Sequence, residues 1–147
     1  MGWLMTSVSS IRRYPAPMSV IDEIGRSKHV SLVTFRKDGT GVATPVWHVV
    51  EGDELFVVSE AKAWKVKRVR RDPRAEVTVC DIRGRIKPGA PTATGTARVL
   101  DEAGTAAARK MLARKYISSR VGNWFARVLH LRRPPLVGIA VTLRPAD

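Results

Sequence analysis

The chain has 147 residues, of which 44% are apolar and 27% are charged, and this composition is typical of one soluble globular domain. No apolar run approaches the roughly 20 residues that a membrane-spanning helix needs. In the opening residues 1–18 the positive charges follow the apolar residues instead of preceding them, which does not fit a secretory signal. We therefore predict a flexible N-terminal arm over residues 1–18, one folded domain over 19–147, and no membrane insertion.

The net charge of +13 comes from 26 Lys and Arg against 13 Asp and Glu, and the charges are unevenly placed. Between Ala103 and Ala146 there is no acidic residue. An anionic partner is expected, but charge alone does not distinguish nucleic acid, an acidic membrane surface and a polyanionic small molecule.

Cysteine and histidine usage excludes several kinds of site. Cys80 is the only cysteine, so an internal disulfide and a thiolate metal cluster are excluded, and a reducing cytoplasm is the natural compartment. The histidines His29, His48 and His130 lie far apart without the spacing of metal ligands. We predict no metal site.

The first half of the chain predicts a short helix followed by three strands. Ser19 with Asp22 three residues later resembles a helix start, and this helix should end near residues 25–28. Asp38-Gly39 is a strong hairpin signal between two apolar runs. The predicted strands are residues 30–36, 42–50 and 55–59.

Pro45 lies in the middle of the second predicted strand and removes a donor from the hydrogen-bond ladder. It therefore indicates an edge or interrupted strand, whose backbone groups are available to a ligand. A short cationic helix follows the third strand and ends at Asp72-Pro73. Apolar strand ends that run into a cationic helix start are suited to a flat ligand with an anionic tail.

The second half of the chain predicts three more strands and two helices. The strands are residues 75–81, 92–100 and 136–143, and Gly95 inside the fifth strand predicts a bulge or a close backbone approach. The helices run from residues 101–102 to about Tyr116 and from 118–119 to about His130. The predicted fold is mainly β (α+β): a six-stranded antiparallel split β-barrel with a short N-terminal helix, a short basic helix and two helices before the last strand.

The order of these segments resembles one known family. The DGT turn, Thr44-Pro45-Val46-Trp47, a strand ending in Ser59, Lys65-Val66-Lys67-Arg68 and Asp72-Pro73-Arg74 together resemble the pyridoxamine-phosphate-oxidase-like split barrels that bind FMN or deazaflavin. Within them the chain is most similar to the actinobacterial reductases that use the deazaflavin F420. The resemblance runs from about residue 20 to residue 143.

The resemblance implies a cofactor site and a homodimer that completes it. The strand end beside the cofactor is implied to be Val58 and Ser59, and the helix start at Trp64 and Lys65 is implied to bind the phosphate. Trp64 departs from the Arg or small polar residue that is common at this position, and Lys62 or Arg68 could replace it. The strand implied to lie along the flavin-like ring consists of Ala43, Thr44, Pro45, Val46, Trp47 and His48.

The implied activity is an F420(H2)-dependent oxidoreductase that transfers a hydride between F420 and a small organic acceptor. F420 carries a phosphate and an oligoglutamate tail, so the cationic helix suits it better than it suits FMN, which remains the alternative. The chemistry would be that of the cofactor, and no catalytic side chain is required. Solvent, Tyr116 or His48 could supply a proton.

Two functions of other classes stay open at this point. A non-catalytic flavin-binding or haem-binding protein could use the same fold. A nucleic-acid-binding barrel is suggested by the charge, but Trp47, Phe56 and Trp64 do not form an obvious stacking platform with interleaved cations. We therefore expect no nucleic-acid partner.

Overall fold

The computed structural model describes residues 19–116 and 135–145. The predicted arm over residues 1–18 and the second late helix lie outside the described residues. The elements are α1 (Val20–Arg26), β1 (Val30–Phe35), β2 (Gly41–Val46), β3 (Val49–Glu51), β4 (Glu54–Glu60), α2 (Trp64–Arg71), β5 (Arg74–Val79), β6 (Thr92–Val99), α3 (Glu102–Tyr116) and β7 (Leu136–Pro145).

Local signals placed the first helix and the first hairpin correctly. The Ser19 hydroxyl accepts a hydrogen bond from the Asp22 amide at 3.1 Å and caps α1. In the turn between β1 and β2, Gly39 has a φ of +88°, which favours glycine. The Asp38 carboxylate accepts from the Thr40 amide at 2.9 Å and fixes this turn.

The strands of residues 19–116 and 135–145 all pair antiparallel in one seven-stranded sheet of order β2-β1-β5-β6-β7-β4-β3. Its two edge strands, β2 and β3, are separated along the chain by Trp47 and His48 alone. This short connection brings the opposite edges of the sheet together, so the sheet curls into a split barrel.

The predicted number of six strands is wrong, because the strand predicted over residues 42–50 is two strands. Its first half pairs with β1, where Val46 lies opposite Val30, and its second half pairs with β4, where Val49 lies opposite Phe56. Pro45 marked the interruption, and β2 is an edge strand as expected. The break itself occurs at His48, which is completely buried.

The core fills the inside of the curled sheet and is closed by the helices. The largest fully buried side chains of the core are Ile24 of α1, Leu32 of β1, Leu55 of β4 and Ile139 of β7, while α2 contributes Val66 and Val69 and α3 contributes Leu112. The other faces of α2 are cationic, as the sequence predicted. Each helix therefore packs one apolar side on the barrel.

Gly95 allows a close approach between β6 and β7. A Cβ atom at this position would lie 2.5 Å from Val141 Cγ1 and 2.6 Å from the Thr142 carbonyl oxygen. The close backbone approach that was predicted for Gly95 is confirmed. Among the helices of the described ranges, none is long and apolar enough to cross a membrane.

Candidate functional site

The barrel is open between two strand edges. β2 pairs with β1 on one side, and no other strand of the described residues pairs with its outer edge. β4 pairs with β3 only as far as Phe56, so its last residues pair with β7 alone. Backbone donors and acceptors on both facing edges are therefore available to a ligand.

A groove of about 490 Å³ occupies this opening. Its walls are mostly apolar and come from β2, β4, α2, α3 and the connections between elements. The lining residues are His29, Pro45, Val46, Trp47, Val58, Ser59, Glu60, Ala63, Lys65, Ile82 and Leu112. The volume and the apolar walls are suited to a flat organic ring.

The charged end of the groove lies at the start of α2. Ala63 is the N-cap residue of this helix and lines the groove, and it offers no side-chain cap to the first amides of the helix. Lys65 is half-buried, and burial lowers the pKa of its ammonium, with a further lowering from Arg68 and an opposing effect of Glu60. Within the described part of the chain Lys65 forms no salt bridge, so its charge can serve an anion.

Trp47 forms the floor of the groove and is held from behind. Its ring stacks on Tyr116 at 5.4 Å between centroids with an angle of 24°, and the His29 ring lies 6.4 Å from it at an angle of 52°. The Tyr116 hydroxyl accepts from the His48 amide at 3.2 Å. The same hydroxyl has the carbonyls of Lys28 (2.8 Å) and His48 (3.0 Å) within reach of its single proton.

His48 lies beneath the groove and does not line it. Its Nε2 donates to the Ile24 carbonyl at 2.7 Å, and its Nδ1 is buried without a partner among the described residues. Burial, with the nearby positive charge of Lys115, lowers the pKa of His48 to about 3. The imidazole is therefore neutral, and it fixes α1 to the junction between β2 and β3.

Half of the predicted site residues meet in the groove. Pro45, Val46, Trp47, Val58, Ser59 and Lys65 line it. Of the remaining six, Ala43 and Thr44 lie earlier on β2, His48 is buried below, and Lys62 is exposed before α2. Trp64 and Arg68 border a separate pocket of about 330 Å³ on another side of α2. The cofactor-binding roles of all twelve residues stay predictions.

Five lining residues were not predicted. Glu60 and Ala63 lie between predicted residues along the chain, so their proximity to the site could have been inferred. His29, Ile82 and Leu112 come from a loop before β1, a loop after β5 and the middle of α3. Nothing in the sequence near these three residues signals a shared site.

Comparison with known families decides the classification of this barrel. A family model described as pyridoxamine 5'-phosphate oxidase matches residues 20–144. The chain belongs to this family. Members of the family include oxidoreductases, and the fold binds flavin-type cofactors such as FMN. No curated protein matches the sequence.

Solved structures with the same fold carry several activities in their names. An F420 reductase superposes with a TM-score of 0.59 at 21% identity, over 88% of this chain and 96% of that one. HutZ, a heme storage protein from Vibrio cholerae, gives 0.58 at 15% identity, over 85% and 86% of the two chains. A heme binding protein from Mycobacterium smegmatis gives 0.59 at 16% identity, over 88% of this chain and 53% of that one. At these identities the likeness shows the fold alone.

Proposed function

We propose that this member of the pyridoxamine 5'-phosphate oxidase family is an F420(H2)-dependent oxidoreductase that reduces a small organic acceptor. The observation that carries the proposal is the groove between the unpaired edges of β2 and β4, with Lys65 at its end. The apolar walls suit a deazaflavin ring, and the cationic end suits the phosphate of the same molecule. Bound there, F420 would supply the hydride.

The roles of the chain's own residues follow from their positions. The backbone of Pro45, Val46 and Trp47 would hold one edge of the ring, and that of Val58 and Ser59 the other. Lys65 and the first amides of α2 would hold the phosphate. The apolar walls would exclude water from the reacting face.

The buried groups behind Trp47 are unsuited to proton transfer. The hydroxyl of Tyr116 is hydrogen-bonded below Trp47, and burial, opposed by the hydrogen bond to His48, raises its pKa to about 12. The imidazole of His48 is completely buried. Of the three proton sources considered for the substrate, solvent therefore fits best.

The number of positive charges on and around α2 favours F420 over FMN. Along α2 the chain carries Lys65, Lys67, Arg68, Arg70 and Arg71, and no acidic residue lies in the first turn. FMN carries one phosphate, whereas F420 carries a phosphate and several carboxylates. A homodimer would cover the open side of the groove and complete the site.

Titration of the purified protein with F420, followed through the fluorescence of the cofactor, tests the proposal. Lys65→Ala should weaken F420 binding at least tenfold, a loss of about 1.4 kcal/mol, because it removes the cation at the end of the groove. Lys110→Ala is the matched control, since Lys110 is an exposed lysine of α3 that does not line the groove. Its affinity for F420 should stay within about twofold of the wild type.

Two outcomes would contradict the proposal that F420 is the cofactor. The first is a protein that does not bind F420, and the second is a protein isolated in a yellow, FMN-loaded form. The second outcome would establish an FMN-dependent oxidoreductase in the same groove. Failure of Lys65→Ala to weaken F420 binding would leave the cofactor intact and remove the proposed phosphate site.

A non-catalytic haem-binding protein is the second candidate, and His29 is the observation that favours it. This histidine borders the groove, and its Nε2 is buried without a hydrogen-bond partner among the described residues. Burial, with a contribution from Lys28, lowers its pKa, so the imidazole is a neutral potential iron ligand. A hemin complex whose Soret band shifts on His29→Ala, with no F420 turnover, would favour this candidate.

A further inference from the structure

His29 is a polar side chain of the groove that the proposed F420 site does not use. It lies just before β1, and its ring is 6.4 Å from the ring of Trp47 between centroids. His29 and Lys65 both line the groove, but they occupy different parts of it. Besides burial, different charges shift the pKa of each: Lys28, Asp81 and Lys115 act on His29, and Arg68 and Glu60 act on Lys65.

The Nε2 atom of His29 is buried without a hydrogen-bond partner among the described residues. A buried polar nitrogen that stays without a partner costs free energy, because it has given up its bond to bulk water. An ordered water can satisfy such an atom until a ligand oxygen takes its place. Because His29 also lines the groove, a ligand in the groove is suited to provide that oxygen.

His48 shows by contrast how a structural histidine is held in this protein. It is completely buried, its Nε2 donates to the Ile24 carbonyl at 2.7 Å, and it does not line the groove. His29 differs in each respect, since it is partly exposed, its Nε2 has no such bond, and it lines the groove. The imidazole of His29 is therefore better placed to bind a ligand than to join two elements of the fold.

The surroundings of His29 favour a neutral imidazole beside positive charge. Burial lowers its pKa, the charges of Lys28 and Lys115 lower it further, and the carboxylate of Asp81 opposes them. This carboxylate is itself engaged by Arg85, whose Nε lies 2.8 Å from Asp81 Oδ2. A neutral imidazole keeps one N–H donor, and the two nearby ammonium groups favour an oxygen that gains negative charge.

The walls beside His29 are apolar. Leu112 lies one turn of α3 before Tyr116, whose ring stacks on Trp47, and both Leu112 and Trp47 line the groove. Ile82 also lines it and follows the segment whose Cys80 amide donates to the His29 carbonyl at 3.2 Å. A single donor among apolar walls orients a mostly apolar ligand. A fully charged ligand would leave water here without a partner for its charge.

We propose that His29 selects the electron acceptor, because its Nε2 donates a hydrogen bond to an oxygen of a neutral organic molecule seated against Trp47 and Leu112. This inference rests on the proposed F420-dependent activity and divides the groove into two parts. The part at Lys65 holds the phosphate of the cofactor, and the part at His29 holds the acceptor. The acceptor is a flat molecule whose electrophilic carbon is conjugated to a carbonyl oxygen.

The hydrogen bond from His29 is strongest at the stage of the reaction that places negative charge on the oxygen. The acceptor takes up a hydride, which is a proton with two electrons, at its electrophilic carbon, and the electron pair of its C=C double bond moves to the conjugated oxygen. A proton from solvent then completes the two-electron reduction of the acceptor, while the cofactor is oxidised by two electrons. The neutral imidazole stabilises the charged oxygen without giving up its own proton.

Reduction of coumarin, a flat unsaturated lactone, by reduced F420 tests the proposal with a pair of variants. His29→Phe keeps an aromatic ring but removes the donor, so kcat/KM should fall about tenfold, which is about 1.4 kcal/mol. His29→Gln is the matched control, because its amide places an N–H near the position of Nε2, and kcat/KM should stay within about threefold of the wild type. Both variants should keep the wild-type unfolding temperature and an F420 affinity within about twofold of the wild type.

Nitrogen NMR of the histidine side chains gives a readout that does not depend on turnover. Addition of coumarin to the protein loaded with oxidised F420 should shift the Nε2 resonance of His29, which the His29→Phe variant identifies by its loss. The Nε2 resonance of His48 should stay in place, because this atom is bonded to the Ile24 carbonyl outside the groove.

The outcomes separate this inference from the proposed function. A wild type that does not bind F420 overturns both. A wild type that binds F420 but does not bind coumarin, or that reduces it as fast as His29→Phe does, overturns the role of His29 alone. Equal losses of kcat/KM in His29→Phe and His29→Gln would mean that the shape of the imidazole matters instead of its donor, and would overturn the hydrogen bond.

Discussion

Lys115 shows how one half-buried side chain supports the floor of the groove. Its ammonium donates to the carbonyls of Ser27 and His48, both at 2.9 Å, and lies 3.4 Å from His48 Nε2. Through these bonds the end of α3 holds the junction between β2 and β3 against α1. Trp47 is part of that junction, so Lys115 positions this groove residue from behind.

The ionisation of Lys115 should make stability depend on pH. Burial lowers its pKa from 10.5 to about 8. Between these values the unfolded chain binds the proton more strongly than the folded chain, so the free energy of unfolding rises with pH. Below pH 8 the folded state bears the full free-energy cost of burying the charged ammonium, and this cost decreases as the pH rises toward 10.5. We expect a gain on the order of 1–2 kcal/mol, after a discount for the exposed part of the side chain.

Denaturant unfolding of the wild type and of Lys115→Met between pH 7 and pH 10.5 measures this effect. The wild type should gain stability relative to the variant as the pH rises, because Met cannot ionise. The difference in unfolding free energy between wild type and variant removes the contribution of the other groups that titrate in this range. One of them is Cys80, whose pKa is raised by burial and by Asp81. Lys110→Met provides the control on an exposed site of the same helix, and a constant difference for Lys115→Met would contradict the prediction.

At the scale of elements, local signals in the sequence predicted most of the fold. Caps, turn glycines and β-branched runs placed α1, the first hairpin and α3, because these signals act over a few residues. The division of one apparent strand into β2 and β3 was missed. It depends on His48, which bonds to α1, and on Tyr116 and Lys115 of α3, which bond to the backbone of the junction. Contacts over such distances leave no periodic pattern in the sequence.

The candidate site could be predicted only where its residues are neighbours along the chain. Pro45 to Trp47 and Val58 to Ser59 were implied by the family resemblance, whose motifs consist of residues that are neighbours along the chain, and all five line the groove. Ile82 and Leu112 reach the groove only through the curvature of the sheet and the packing of α3. The direction of α2 also decides the site, since Lys65 lines the groove and Arg68 lines the separate pocket beside Trp64.

The packing of β6 against β7 can be tested at Gly95. Gly95→Ala would place a methyl group within 2.6 Å of the backbone of Thr142, which cannot move without disturbing the sheet. We expect a loss of about 1–3 kcal/mol in the free energy of unfolding, measured with urea. Thr96→Ala, an exposed neighbour on the same strand, should cost less than about 1 kcal/mol. A fully stable Gly95→Ala would mean that the two strands can separate at this point.

At the scale of the whole molecule, the distribution of charge and apolar surface suggests which surfaces meet partners. Cations of α2 line both the groove and the separate pocket beside Trp64. The loop after β5, in contrast, exposes two isoleucines. Of these, Ile82 borders the groove and is 66% exposed, and Ile86 is 50% exposed away from it. Apolar exposure beside an open groove is typical of a surface that is covered in an assembly.

The proposed homodimer would explain why Ile82 is exposed beside the groove. A second copy over the open side of the groove would bury Ile82, exclude water from the ring and complete the cofactor site. The protein should therefore have a mass near twice 16.2 kDa in light scattering after gel filtration. Ile82→Asp should weaken dimerisation at least tenfold, because a carboxylate would be buried without a partner.

The Ile82→Asp variant also tests whether cofactor binding requires the dimer. Ile82→Asp should weaken F420 binding under conditions where the variant is monomeric, and a higher protein concentration should restore the binding together with the dimer. Ile86→Asp is the matched control in the same loop and should leave both properties unchanged. A monomeric wild type that binds F420 tightly would show that one chain forms the complete site, and the groove would then have to exclude water by its own walls.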